Sequence, residues 1–178
     1  MQRREKRPDL ALRTWYEIIC THGLIGIIEA RIADMSLAFT EELIAPCEMN
    51  CGICSSYLAY SKNILKKRGA ILHCAGCIPR DKRCAYIRKI CINLRNDRIR
   101  FCYECYDFPC DRLRELDKRY RKNYGMSMVE NLEFIRDNGI GKFLVKQEER
   151  YKCLKCGGVV CVHNGKCYDC ERIESWKG

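Results

Sequence analysis

The chain lacks a hydrophobic segment of the length that a signal peptide or a membrane span requires. Its basic start, MQRREKRPDLALRTW, is followed by no apolar stretch of signal-peptide length. The longest aliphatic run nearby, Leu24–Ile28, is short and soon meets Glu29 and Arg31. We therefore expect a cytoplasmic protein that does not enter the membrane.

Several catalytic signatures are missing as well. The sequence contains no glycine-rich loop of the kind that cradles phosphate groups. It has only three histidines, and none lies in a pattern typical of a catalytic triad or a metalloprotease. No feature marks one of its cysteines as an activated nucleophile. Together with the closed metal sites predicted below, these absences favour a non-enzymatic role.

Cysteine, by contrast, is abundant. The 178 residues include 16 cysteines, and ten of them lie between residues 47 and 110. Many are arranged in pairs separated by two residues. Outside an oxidising compartment, such pairs bind metal ions more often than they form disulfides. A chain with a small aliphatic core also needs covalent or metal staples. We therefore predict metal–thiolate sites.

Two Cys-x2-Cys pairs near the C-terminus give the clearest metal-binding pattern. The ten residues between the pairs are enough for a short β-hairpin with Asn164-Gly165 as its turn. Two such pairs facing each other provide the four-sulfur tetrahedron of a structural zinc site. Cys161 and His163 lie between the pairs and are an alternative to one of them. The predicted ligands of this zinc-ribbon-like site are Cys153, Cys156, Cys167 and Cys170.

The ten cysteines of residues 47–110 suffice for two four-ligand sites with two residues left over. Cys47 and Cys110 are the two left over, and either is a substitute ligand; interleaved sites would change the partition. Because spacing alone does not choose the metal, [4Fe–4S] clusters are an alternative to Zn²⁺ in this segment. With the C-terminal site, two or three zinc ions are expected. The first predicted set is Cys51, Cys54, Cys74 and Cys77, and the second is Cys84, Cys91, Cys102 and Cys105.

The formal charge of +10 makes nucleic acid an alternative partner. Residues 79–122 hold 14 Lys or Arg against 7 Asp or Glu, with aromatic residues interleaved. Such a composition suits phosphate contacts and base stacking. However, a tetrathiolate zinc site carries a charge of about −2, so three such sites lower the net charge to about +4. Nucleic-acid binding is therefore the less favoured partner prediction.

The rest of the chain has mostly helical patterns. Apolar residues recur at three- and four-residue steps in residues 9–35 and indicate a helical hairpin broken near Gly23 and Gly26. Ser55 is predicted to cap a helix that runs to about Arg68. Three more helices are predicted at residues 111–124, after the capping box that begins at Ser127, and at residues 140–151.

These patterns define the predicted fold class and domains. The fold is expected to be mainly α, with a small, metal-stapled helical core and a C-terminal zinc-ribbon-like β-hairpin. The predicted domains are an N-terminal helical extension at 1–40, a cysteine-rich metal-binding core at 41–122, a helical linker at 123–150 and the ribbon at 151–178.

Four phrases of the core form a recognisable group, namely Glu42–Cys47, Met49–Cys54, Cys74–Cys77 and Phe101–Cys110. They resemble the cysteine-rich archaeal and bacterial family labelled domain-of-unknown-function 3795. Tyr124–Ser127, Glu130–Leu132 and the ribbon resemble one branch of it, so that the resemblance covers about residues 41–172. In many members a glycine follows the first cysteine, where this chain has Glu48. The resemblance implies a cytoplasmic metal-binding protein and supplies no reaction, since the family is uncharacterised.

The sequence thus predicts a metal-binding module without enzymatic activity. We expect it to contact a protein partner, or to form a homodimer, through its N-terminal helices. The alternatives are an iron–sulfur protein for electron transfer or cluster handling, and a nucleic-acid-binding regulator.

Overall fold

The computed structural model describes residues 38–80, 87 and 90–175. The helical hairpin predicted for residues 9–35 lies outside the described residues, as does Cys84. Within the described part, the fold is mainly helical and contains no β-sheet, which confirms the coarse fold prediction. The α-helices are α1 (Ser55–Ser61), α2 (Ile92–Arg95), α3 (Asp111–Tyr124), α4 (Met128–Asn138) and α5 (Ile140–Tyr151).

Helices α3, α4 and α5 begin and end where the sequence pattern predicts. Helix α3 ends at Gly125, whose φ of 59° lies in the left-handed region that glycine adopts without a Cβ penalty. Helix α4 begins after Ser127, and the Ser127 hydroxyl accepts the Glu130 N–H at 3.1 Å. Helix α5 buries Phe143 and Leu144. None of the helices in the described part combines the length and apolar character that a membrane crossing requires.

Helix α1 is shorter than predicted. The sequence predicts a helix from Ser55 to about Arg68, but the helix ends at Ser61. Asn63 has a φ of 53°, and a right-handed helical ladder does not continue through a left-handed residue. The following residues form an exposed turn that is closed by an antiparallel bridge between Lys67 and Ile71. This turn borders a cavity that is lined by cysteines.

The C-terminal segment contains isolated bridges in place of the predicted hairpin strands. One antiparallel bridge joins Lys152 to Val159, and the other joins Val160 to Cys167. The Val160 N–H donates to the Tyr151 carbonyl at 2.8 Å and the Val162 N–H donates to the Ile53 carbonyl at 3.0 Å, so these residues bond to partners outside the predicted hairpin. The predicted Asn164-Gly165 turn is present, with a φ of 69° at Gly165.

Two groups of buried side chains hold the described residues together. In the larger group, helices α3 to α5 pack against residues 39–53, and Ile44, Leu113 and Phe143 are fully buried. The smaller group joins α1 to the C-terminal segment through Leu58, Ala59, Ile71, Cys161 and Tyr168. The C-terminal cysteines are therefore anchored to the residues around the first core cysteines.

Candidate metal centres

The sulfur atoms of the two C-terminal cysteine pairs converge. Cys153 Sγ lies 3.8 Å from Cys170 Sγ, and Cys156 Sγ lies 3.5 Å from Cys167 Sγ. All four sulfurs lie within 4.8 Å of one another. In a tetrahedral zinc site, Zn–S bonds of about 2.3 Å place the sulfurs about 3.8 Å apart. The four side chains therefore have the geometry of a closed four-sulfur site.

Tight backbone turns bring these sulfurs together. The Gly157 N–H donates to the Cys153 carbonyl at 2.8 Å, and the Glu171 N–H donates to the Cys167 carbonyl at 3.1 Å. A Cβ atom at Gly158 would lie 2.2 Å from Asp169 Oδ2, which is too close for any side chain. A glycine is thus required where the first turn approaches the second.

The pKa values of the C-terminal cysteines depend on their neighbours and favour the binding of a cation. Backbone N–H groups of Cys156 and Lys155 lower the pKa of Cys153 to about 7. The neighbouring sulfurs of Cys156 and Cys167 raise the pKa of Cys170 to about 12. Four thiolates at these distances repel one another, so all four ionise together only when a cation neutralises them. Four soft sulfur donors suit zinc or iron.

The first predicted set of core cysteines surrounds a cavity of about 720 Å³. The Cys77 N–H donates to Cys51 Sγ at 3.2 Å, which joins the two ends of the set. The Cys74 N–H donates to the Ser56 carbonyl at 3.0 Å and thereby places Cys74 beside the first turn of α1. Cys51, Cys54, Cys74 and Cys77 all line this cavity.

These four sulfurs are spread more widely than those of the C-terminal group. Among the residues that the structure describes, only the C-terminal group has three or more potential ligand atoms all within 4.8 Å of one another. Burial raises the pKa of Cys54 to about 12, so this residue is a neutral thiol unless a cation is bound. The cavity is also lined by Lys66, Arg68, Arg80, His73 and His163.

A second group of core thiols surrounds Cys102. Burial, followed by the nearby thiols of Cys47, Cys91, Cys110 and Cys105, raises the pKa of the buried Cys102 thiol. The structure thus brings Cys47 and Cys110, the two predicted substitutes, into the neighbourhood of the second set.

Hydrogen bonds account for this neighbourhood. The Cys102 N–H donates to the Pro46 carbonyl at 2.9 Å, which places Cys102 next to Cys47 in space. The Asn93 side chain, just after Cys91, donates to Cys105 Sγ at 3.5 Å. Spacing along the chain gave no signal of the first contact, because 54 residues separate Cys47 from Cys102.

Cys161 and His163 are not members of the C-terminal group. Cys161 is buried in the cluster that contacts α1, and burial raises its pKa. His163 lines the core cavity; its Nδ1 lies 3.2 Å from the Ser55 nitrogen and its Nε2 lies 3.4 Å from the Tyr120 hydroxyl. The Val162 N–H donates to the Ile53 carbonyl at 3.0 Å. Residues 161–163 therefore connect the C-terminal site to the wall of the core cavity.

The family resemblance of the core segment is confirmed by comparison with known proteins, whereas the match does not extend to the C-terminal residues that resemble one branch. Residues 43–115 match the sequence model of a family described as "Protein of unknown function (DUF3795)". Residues 43–115 therefore form a DUF3795 segment within the chain. No curated protein and no solved structure matches the chain. The segment matched by the DUF3795 model contains all ten core cysteines, and the C-terminal four-sulfur group lies beyond it.

Glu48 is an unusual residue within the DUF3795 segment. Its φ of 79° lies in the left-handed region, which glycine adopts more readily than a residue with a side chain. The side chain is fully buried and neither carboxyl oxygen makes a regular hydrogen bond, while the nearby Asn131 side chain offsets part of the effect of burial on its pKa. Burial raises its pKa well above the ordinary value. The departure from glycine was the only sign in the sequence that this position is special.

Proposed function

We propose that the protein is a cytoplasmic zinc-binding module without enzymatic activity, and that its C-terminal four-cysteine site is structural. The sulfur separations of 3.5 Å and 3.8 Å support this assignment, because they match the edge of a zinc tetrathiolate. All four ligands come from cysteines, so a bound zinc ion has no open position for substrate or water. Cytoplasmic thiols stay reduced, as this site requires.

The role of this zinc ion would be to hold the C-terminal segment against the family segment. Tyr168 and Cys161 lie between the zinc ligands in sequence and pack against Leu58 and Ile71. The Val162–Ile53 hydrogen bond extends the same contact. Since few regular backbone bonds support the segment, metal binding would supply much of its folding free energy.

An iron–sulfur protein for electron transfer or cluster handling is the second candidate, and the core cavity favours it. Its four cysteines surround a space of about 720 Å³, whereas a single zinc ion needs sulfurs in near contact. A [4Fe–4S] cluster is several atoms across, is held by four thiolates and carries a charge of about −2 when oxidised. Lys66, Arg68 and Arg80 line the cavity and would offset that charge.

Anaerobic purification with analysis of zinc, iron and acid-labile sulfide tests both candidates. The zinc proposal predicts one tightly held zinc ion whose loss follows removal of a C-terminal ligand. A chain that holds no zinc under these conditions contradicts it. The iron–sulfur candidate predicts a coloured protein with iron and sulfide in equal amounts, and a colourless protein with zinc alone rejects that candidate.

The partner proposal concerns the N-terminal residues, which are proposed to contact another protein or a second copy of the chain. Because Phe39 is buried in the core, the deletion that tests this should stop at Leu37. The deletion is expected to abolish a dimer or a co-purifying protein while the zinc content stays the same. An unchanged assembly, measured by light scattering, contradicts a docking role for these residues.

A further inference from the structure

One stretch of the chain is basic and entirely free of acidic residues. Residues 49–80 contain no Asp or Glu in 32 positions. Its cations are concentrated in residues 62–73, which we name the basic turn and which links α1 to Cys74. Lys66, Lys67 and Arg68 are exposed there and form no ion pair with other described residues. The turn therefore presents uncompensated positive charge.

The basic turn also exposes aliphatic side chains. Leu65 is 87% exposed and Leu72 is 58% exposed. Single exposed leucines are common on protein surfaces, but two on a twelve-residue turn beside three cations form a local pattern. Leu65 can be replaced with little cost to folding, because its side chain is almost fully in solvent.

A groove runs along one side of the basic turn. Its volume is about 680 Å³, and its apolar lining comes from Ile64, Leu65, Ile71 and Ile173. The cations that line it are Lys66, Lys67 and Arg172, and its one acidic lining residue, Glu174, pairs with Arg172 at 3.3 Å. The cysteine-lined cavity shares Lys66 and Ile71 with the groove.

We propose that the basic turn and this groove form a docking surface for an acidic protein. An apolar side chain of the partner would enter the groove beside Leu65, and its carboxylates would contact Lys66, Lys67 and Arg68. An apolar centre with a charged rim is the usual anatomy of a protein–protein interface. Opposite charge would accelerate the association and fix its orientation.

The composition of the turn favours protein over nucleic acid. Binding of single-stranded nucleic acid relies on aromatic rings that stack on bases. Residues 62–73 contain no Phe, Tyr or Trp. The neighbouring Tyr60 ring instead packs edge-on against His73, with 6.2 Å between ring centroids. The groove offers aliphatic side chains, which suit a leucine or isoleucine of a partner.

A partner that docks on this surface would lie next to the cysteine-lined cavity. Lys66, Arg68 and Leu72 line the cysteine cavity, so a partner on the basic turn lies at its mouth. Docking requires no occupant in the cavity, whereas transfer of electrons or of a cluster to the partner rests on the iron–sulfur candidate proposed above.

The test uses the full chain with its zinc bound and a fluorescent synthetic peptide in which two leucines are flanked by glutamates. Binding is measured by fluorescence anisotropy at low and at physiological salt. The comparison probes are the same peptide with glutamine in place of glutamate, and a single-stranded RNA oligonucleotide. The variants are Leu65→Ser and the double substitution Lys66→Glu/Lys67→Glu, and the matched controls are Leu154→Ser and Lys142→Glu, both at exposed positions.

The proposal predicts that the acidic peptide binds and that each turn variant weakens binding by about tenfold or more, while the controls do not. The proposal is overturned if the acidic peptide does not bind at low salt, or if the turn variants bind it as tightly as the unsubstituted chain does. It is also overturned if RNA binds more tightly than the acidic peptide and the charge reversal abolishes that RNA binding. Peptide binding that appears only after deletion of residues 1–37 overturns it as well. Zinc is measured on the same samples. Unchanged zinc with lost peptide binding separates this surface from the C-terminal metal site.

Discussion

The C-terminal cysteines and the first set of core cysteines have the same ligand pattern but different geometry. Each set consists of two Cys-x2-Cys pairs. In the C-terminal set, all four sulfurs lie within 4.8 Å of one another. In the core set, Cys51, Cys54, Cys74 and Cys77 surround a cavity of about 720 Å³. One arrangement fits a single ion, and the other leaves space for a larger group.

The chain between the pairs explains the difference. Ten residues separate the C-terminal pairs, and two isolated bridges fold them back so that the pairs face each other. Nineteen residues separate the core pairs, and they include α1 and the basic turn. A helix is a rigid spacer, so the four core sulfurs do not all converge even though the Cys77 N–H contacts Cys51 Sγ. The motif specifies ligands, whereas the intervening structure specifies the size of the site.

Loss of a C-terminal ligand should affect metal binding most strongly. Cys156→Ser should lower zinc affinity by more than about 100-fold, since even the loss of a group that only orients a ligand costs about 10- to 100-fold. Hydrogen exchange should become fast in residues 152–170 and stay slow in helices α3 to α5. Native mass spectrometry counts the zinc ions. Retention of the zinc ion by the variant would disprove the assignment of this site.

Removal of a core ligand should deplete iron and sulfide and leave the zinc content unchanged. Cys77→Ser, in protein reconstituted anaerobically with iron and sulfide, should lose most of its iron and sulfide because one of four thiolates is missing. Its zinc content should equal that of the unsubstituted chain. Cys156→Ser is the matched control, since it should lose zinc and keep iron. If each variant lost both metals, the two cysteine sets would not be independent metal sites.

Substitution of Asp117 tests the part of the stability that comes from the helices and not from a bound metal ion. The Asp117 carboxylate accepts hydrogen bonds from Ser127 Oγ at 2.8 Å, the Val129 N–H at 3.1 Å and Arg121 Nε at 2.6 Å. Asp117→Ala should lower the free energy of unfolding by about 2–3 kcal/mol, because hydrogen bonds to a charged group are lost. Urea unfolding of zinc-loaded and zinc-depleted protein should show the same decrease.

The pH dependence of the Asp117 effect follows from its pKa. Burial alone would raise this pKa, but the hydrogen bonds from Val129, Arg121 and Ser127 outweigh it and lower the pKa below the ordinary 3.8. The stabilisation is therefore present above pH 3.8 and is lost as pH falls through the pKa of the folded state. A decrease that changes between pH 6 and pH 8 would indicate another origin.

The smallest predicted effect concerns Glu48 in the core segment. Because burial raises its pKa, the folded state favours the neutral acid, and its contribution to stability is present below pH 4.5 and lost as pH rises. Glu48→Gln keeps the shape without the charge and should be about 1–3 kcal/mol more stable than the unsubstituted chain at pH 8. The two should have equal stability near pH 4.

Urea unfolding at the two pH values measures this difference, with Glu149→Gln at an exposed position as the control. Equal stability of the Glu48 variant and the unsubstituted chain at pH 8 would show that the buried carboxyl group is stabilised in another way. The C-terminal site has no buried carboxyl group of this kind among its described residues, so the effect should be confined to the core.

Local sequence patterns predicted the long helices well. Helices α3, α4 and α5 have the predicted bounds because their signals lie within one or two turns, such as the Ser127 cap and the stop at Gly139. The prediction for α1 was too long because helix propensity continues past Ser61, whereas Asn63 adopts a left-handed conformation in the folded chain. Two isolated bridges replace the predicted hairpin of the C-terminal segment, because Val160 and Val162 bond to the Tyr151 and Ile53 carbonyls outside it.

The chemistry of this protein can be read from its amino-acid sequence: sixteen thiols, their pairing at two-residue spacing, the family of residues 43–115 and the acid-free stretch of residues 49–80. Which thiols meet depends on the folded chain. It brought Cys47 and Cys110 to Cys102, spread the first core set around a cavity and placed the basic turn at its mouth. These contacts join residues far apart in the chain, and their distances depend on how the helices pack.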